Sequence, residues 1–461
     1  MLPYMKSRTF IALAVGAVLV ISVVLVVVAA CRGDGADDSV PSETPVPTSR
    51  PGVTPGPGVT DTEILLGMTN DLSGEGGTPY AAVTSAAQAY FASVSAEADG
   101  VCGREVIIVT ADDMYTPEVA LEETKRLVEE EGVLAMIGAQ GTEVHLPVAT
   151  YLNDPNGDGN SDDGVPDLFL STGWSGWADI GKFPWSVGFI PDYESDGTII
   201  ASYIKEHLAG RKVGLLYESS NFGKDYLSSL ERAFAGSDLL VATVAYEAQP
   251  AAEDETPSPD EEEATVVVES LVKELIDAGT QVAVLATPPL VSAEVFKTDG
   301  VQDSIPQFVL SYVNTPSTLA AEIGGGTEAD NLLGGFERLG GSVVTQYMLN
   351  LFEEDDAVVL SEHSRIMETY DGPPVTTLSL YGQALAETVA ETLSRACEEL
   401  DRDGVLRAAE SLESFRPRVL LPGIRVRLSS EDHRAIETLQ PVRIEEDGSL
   451  TTIGDPISDE S

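Results

Sequence analysis

Residues 106–137 read VIIVTADDMYTPEVALEETKRLVEEEGVLAMI, and the order of features within them decides the fold class. Val106 to Thr110 is a short β-branched run of the kind that forms a buried strand. Thr116-Pro117-Glu118 then opens a helix, with a capping-type residue, proline at the first helical position and an acid in the first turn. The helix runs to about Glu131, and Val133 to Ile137 is a second strand. Strand, crossover helix and strand make a parallel unit.

The same rhythm extends in both directions. Upstream, Ile64 to Met68 reads as a strand and Ala81 to Ser95 as a helix of small residues. Downstream come helix Val144 to Asn153, strand Leu168 to Leu170, helix Glu194 to Leu208 and strand Val213 to Tyr217. Helix Lys224 to Ala235, strand Leu239 to Tyr246, helix Ala264 to Ala278, and strands Val282 to Leu285 and Phe308 to Leu310 follow. Such alternation predicts an α/β protein with parallel sheets covered by helices, and ligands of these sheets sit at the carboxyl ends of the strands. With 461 residues, 43% of them hydrophobic, the chain is long enough for two ordinary cores.

Charge and targeting signals narrow the setting. There are 26 Lys and Arg against 76 Asp and Glu, a net charge of −50. Such a surface repels phosphate backbones, so no nucleic-acid partner is expected. Lys6 and Arg8 precede an unbroken apolar run from Phe10 to Ala30 that ends in Ala29-Ala30-Cys31. Basic residues, an apolar stretch and small residues describe an export signal. The ending resembles the lipobox of bacterial lipoproteins, which implies a signal peptide over 1–31 and lipidation of Cys31. The run is also long enough to span a bilayer uncleaved. Both readings place the rest of the chain outside the membrane. Residues 32–60, rich in Pro, Gly, Ser and Thr, have almost nothing to bury and read as a tether. The two other cysteines, Cys102 and Cys397, each follow a helix. A disulfide and two free thiols both remain open.

Enzyme chemistry finds little footing. His145, His207, His363 and His433 are scattered, with no metal-ligand spacing. Gly173-Trp174-Ser175-Gly176-Trp177 lacks the last glycine of a nucleophile elbow, which argues against an α/β hydrolase. Pro79 stands where a dinucleotide fingerprint beginning at Gly74 needs its third glycine. The sharpest local signal is Asp154-Pro-Asn156-Gly-Asp158-Gly159-Asn160-Ser-Asp162. Asp154, Asn156, Asp158 and Asp162 supply oxygens at positions 1, 3, 5 and 9 around a glycine at 6, with Asn160 offering its carbonyl. This alternation matches the first nine positions of a calcium loop and predicts a structural Ca2+. The twelfth position is Val165, so the usual bidentate Glu is missing.

Taken in order, several stretches resemble the leucine/isoleucine/valine-binding type of periplasmic receptor for ABC importers. They are Gly67-Met-Thr-Asn-Asp-Leu-Ser-Gly74, Gly103-Arg-Glu-Val106 with Asp112-Asp113, Gly132 to Gly138, Val165 to Gly173, Phe183-Pro-Trp185, Tyr217 to Gly223, Leu421-Pro-Gly423 and Ser430 to Arg434. The resemblance covers about residues 60–456. It implies two Rossmann-like lobes joined by three hinge crossings, closing over a solute. Lobe 1 is expected over 61–191 plus 338–415, lobe 2 over 192–337 plus 416–456, with a tail at 457–461. It implies a lipid-anchored, extracytoplasmic protein that delivers a small solute to an ABC permease and performs no chemistry. A ligand-sensing ectodomain of the same fold is the alternative.

Site residues follow from the same resemblance. Thr142 and the Ser171-Thr172-Gly173 group occupy the positions that hold a ligand carboxylate, while Tyr80 and Phe222 match rings that cover it. Hydroxyls and amides at strand ends facing a helix N-terminus also suit an anion on physical grounds. Tyr312 stands where amino-acid binders place a Glu for the α-ammonium, with Asn314 nearby. A neutral Tyr is a poor partner for a buried cation. The implied ligand is a branched-chain amino acid or a related carboxylate or amide without a free amino group.

Overall fold

The computed structural model describes residues 55–73, 77–247, 261–351 and 357–459. The signal, Cys31 and most of the tether lie outside them.

The first lobe opens with β1 (Glu63–Asn70), α1 (Gly77–Ala98), β2 (Glu105–Asp112), α2 (Pro117–Glu129), β3 (Ala135–Ile137), α3 (Thr142–Asn153), β4 (Asp167–Leu170) and β5 (Ser186–Gly188). A short 3-10 helix, Ser175–Ala178, stands between the last two strands. All pairings are parallel, in the order β2-β1-β3-β4-β5. The chain therefore reverses direction across the sheet between β1 and β3, the point where such folds leave a crevice. Residues of β3 and β4 are buried throughout, as helices on both faces require.

The second lobe follows with α4 (Tyr193–His207), β6 (Val213–Glu218), α5 (Asn221–Phe234), β7 (Leu240–Tyr246), α6 (Glu261–Asp277), β8 (Val282–Ala286), α7 (Pro289–Lys297), α8 (Val301–Ser304), β9 (Phe308–Leu310), α9 (Pro316–Gly324), α10 (Ala329–Leu339) and β10 (Val343–Gln346). The chain then returns to the first lobe with α11 (Ala357–Thr369), α12 (Thr377–Arg395) and α13 (Arg402–Glu410), and finishes in the second with β11 (Thr438–Ile444), β12 (Leu450–Thr452) and β13 (Ile457–Ser458). The larger sheet runs β7-β6-β8-β9-β10-β11-β12, parallel up to β10 and antiparallel beyond. β13 pairs with β11.

Two sequence expectations are corrected here. The return to the first lobe was expected at 338, but β10 hydrogen-bonds between β9 and β11 in the second lobe's sheet, so the crossing comes after Gln346. Val343–Gln346 is a short, wholly buried run of four residues inside a long connection. At α2, Thr116 occupies the capping position, yet its hydroxyl donates to the Met114 carbonyl and makes no cap bond.

α12 covers the first lobe by lying against α1. A Cβ on Gly382 would stand 2.3 Å from the Val83 carbonyl, so only glycine lets the helices approach this closely. Just past their ends Cys102 and Cys397 form a disulfide, with Cα atoms 5.5 Å apart and a sequence separation of 295. The second lobe has no such staple among its described residues; a buried carboxylate ties it instead. Asp196 of α4 accepts from Tyr226 of α5 at 2.7 Å and Thr345 of β10 at 2.6 Å. Burial pushes this carboxyl up to about 7, against those hydrogen bonds.

Candidate ligand cleft

The crevice of the first lobe is built by two strand ends. β3 gives way to Gly138 and Gly141, both at positive φ, and Thr142 starts α3. In β4 the register shifts between Leu168 and Leu170 around Phe169, whose φ is 60°. Such a bulge re-aims the residues after it. The turned segment runs beside β3's end, where the Ser171 amide donates to the Ala139 carbonyl at 2.8 Å. The two turns bring the Thr142 and Thr172 hydroxyls within 2.7 Å of each other, both buried.

Tyr193 completes this cluster. It is the first residue of α4, in the first hinge crossing, and its amide donates to the Gly173 carbonyl at 2.6 Å. Burial pushes its phenol up to about 12, opposed by hydrogen bonds from the Gly173 backbone and from the Thr172 and Thr142 hydroxyls. Three hydroxyls therefore converge at the first lobe's strand ends, able to donate to or accept from one polar group.

The remaining expected residues are placed differently from one another. Ser171 turns away to α12, where its hydroxyl meets that of Tyr381 at 2.6 Å. Gly173 must lack a side chain, because a Cβ would stand 2.4 Å from the Pro191 carbonyl and 2.7 Å from the Tyr312 hydroxyl. Phe222, in the first turn of α5, packs edge-on against Tyr193 at 4.7 Å. Tyr312 is buried, stacks on Tyr193 at 6.1 Å and donates its hydroxyl to the Pro191 carbonyl at 2.5 Å. It acts as a ring in the wall with its polar end already committed to the hinge. Tyr80 lies on α1 beside Asn70, which donates to its carbonyl at 3.3 Å. Burial and then Asp71 raise its phenol. Trp174, next after Gly173, packs against Trp177 and Phe183 at 5.0 and 6.4 Å.

Sequence reasoning missed two rings. Tyr193 carries no motif, although an aromatic directly after Pro191-Asp192 at a lobe crossing is a usable signal. Tyr115 lies in the β2–α2 turn, 45% exposed, and its ring sits over Gly141, where a Cβ would meet it at 2.7 Å. Met114 and Tyr115 both hold positive φ, 50° and 54°, a conformation side chains resist. The crowded crevice around its hydroxyl raises the Tyr115 phenol despite the exposed ring, and Tyr80, Tyr193, Glu218 and Asp113 add to the effect. Asp113 itself is pushed up to about 6, chiefly by burial, with Asp71 and Asp112 contributing. Glu218, at the end of β6, accepts from Tyr246 at 3.3 Å.

The predicted calcium loop joins α3 to β4. Asp154 accepts from the Asp158 and Gly159 amides at 3.1 and 3.0 Å, Asn156 from Asp158 at 2.8 Å, and Asp158 from Asn160 at 2.8 Å. Among the described residues no group of three or more His, Cys, Asp or Glu side chains is arranged to hold a metal.

Comparison with known proteins bears on these features. The family description "Periplasmic binding protein" matches residues 63–449. The chain belongs to the periplasmic binding protein family. Solved structures agree on the fold. A branched-chain amino acid ABC transporter protein from Thermus thermophilus, with bound valine, is 16% identical with a TM-score of 0.69, covering 87% of this chain and 98% of its own. A fatty acid ABC transporter substrate-binding protein from Thermomonospora curvata is 19% identical with a TM-score of 0.67, covering 90% and 97%. A possible leucine/isoleucine/valine-binding protein from Rhodopirellula baltica SH 1 is 18% identical with a TM-score of 0.66, covering 85% and 96%. No curated protein matches the sequence. The family is one of extracytoplasmic binding proteins, and the three solved structures share this chain's fold. No described helix is long and apolar enough to cross a membrane.

Proposed function

We propose that this binding protein captures one small solute between its lobes and hands it to the permease of an ABC importer as the cleft closes. The observation that carries the reading is the hydroxyl cluster of Thr142, Thr172 and Tyr193 at the crevice where the first sheet changes direction. These groups, with the amides that open α3, suit a carboxylate or carbonyl end. Phe222, Tyr80 and Tyr115 supply rings for an apolar remainder. A branched-chain amino acid or a related carboxylate or amide fits this division. Tyr312, bonded to the hinge, provides no counter-charge at the position usual for an ammonium. Lipidation of Cys31 would hold the protein at the membrane.

Native mass spectrometry of protein purified without denaturation, followed by a thermal-shift screen of amino acids, short amides and carboxylic acids, tests the reading. A single co-purifying or stabilising solute is expected. A folded sample that carries none and responds to none of the panel would end it.

A further inference from the structure

Among the contacts that cross from lobe to lobe, two end on the first amide of a helix. In the first lobe, the amide and hydroxyl of Ser175, which opens the 3-10 helix, donate to the two carboxylate oxygens of Asp225 at 2.8 and 2.9 Å. Asp225 belongs to α5 of the second lobe. In the other direction, the amide of Asn221, which opens α5, donates at 3.1 Å to Glu143 of α3 in the first lobe. Neither helix caps itself. The capping position of the 3-10 helix is Trp174, and that of α5 is Ser220, whose hydroxyl makes no cap bond.

We propose that Asp225 and Glu143 are closure residues, each capping a helix of the opposite lobe only when the cleft is shut. The first amides of a helix have no partner within it, and a side-chain oxygen that satisfies one stabilises that end. Here both oxygens come from across the cleft, so opening it strips both helix ends of their caps at once. The position of Asp225 supports this. It is 8% exposed and shares its surroundings with Asp192 and Glu194, a poor place for a carboxylate without strong donors. Both side-chain bonds it accepts come from Ser175. Each cap also adjoins a ligand turn: Ser175 stands three residues after Thr172, and Asp225 three after Phe222. Closure and ordering of the binding turns are thereby one event. The inference deepens the proposed capture mechanism by naming what holds the cleft shut, and its test requires no solute.

Amide hydrogen exchange on the full chain reads both caps separately, in peptides covering 174–178 and 219–223. Removing either cap with Asp225→Ala or Glu143→Ala should accelerate exchange at both peptides by about fivefold or more, while β3 and β8 stay protected. Acceleration confined to the peptide that lost its own cap, or none, overturns the proposal. If either variant loosens β3 and β8 as well, Ser175→Ala, read at 219–223, and Asn221→Pro, read at 174–178, decide by the same cross-lobe criterion. Proline is tolerated at a helix's first position, so that change removes the donor and leaves α5 able to form. Because no ligand enters, failure here leaves solute capture standing.

Discussion

The two lobes repeat one strand order but meet the cleft with different chemistry. The first presents hydroxyls: Thr142 and Thr172 are bonded to each other, with the phenol of Tyr193 beside them. The second presents rings. Phe222 leans on Tyr193, and Tyr312 has surrendered its hydroxyl to Pro191. Their fastenings differ too, a disulfide between α1 and α12 in one and the Asp196 knot in the other. The difference assigns polar recognition to the first lobe and covering to the second, and it gives each lobe its own vulnerability.

The largest expected effect falls on the first lobe alone. Replacing Cys102 and Cys397 by Ser should cost about 2–5 kcal/mol, because the bridge closes a very long loop. Hydrogen exchange should show α1 and α12 loosening while β8 stays protected; equal loosening of both lobes would break the comparison. Thr172→Val should follow, weakening the solute found by screening by roughly ten- to a hundredfold, since it leaves buried hydroxyls short of a partner. Isothermal titration would measure it, and Ser171→Ala, whose hydroxyl goes to Tyr381, should change affinity far less.

Acidity should act mainly on the second lobe. Asp196 is held at about 7, above its unfolded value, so the folded state binds the proton more tightly. Its contribution is fully present near pH 4 and fades as pH rises through 7. Stability to urea should therefore be greater at pH 5 than at pH 8, by on the order of 2 kcal/mol, and Asp196→Asn should flatten the profile. Relief of repulsion in a chain of net charge −50 adds in the same direction. Tyr115→Gly should give opposite signs in two measurements. Relieving one left-handed side chain adds about 1 kcal/mol of stability, while loss of the ring weakens solute binding. The smallest effect concerns the Asp154 loop. Calcium at about five times its Kd should raise stability by about 1 kcal/mol, reversed by EDTA; an unchanged melting temperature removes the ion from the account.

The sequence was most readable where one local rule sufficed. The β-α-β alternation and the strand-end position of Thr142 and Thr172 follow from periodicity, capping residues and the family resemblance. Tyr193 and Tyr115 were hidden because their roles depend on a lobe crossing and on a turn held at positive φ, neither of which leaves a periodic trace. β10 was misplaced for a related reason: four buried residues inside a long connection look alike whichever sheet receives them. Tyr312 was legible as a departure, but its bond to Pro191 joins residues far apart in the chain and could not be read locally.

The staple between α1 and α12 also fixes an order of events during secretion. A chain emerging from its amino end presents the first thiol early, yet its partner arrives only 295 residues later, just past the helix that covers the first sheet. The lobe begun first must therefore wait, half roofed, until almost the whole polypeptide has crossed.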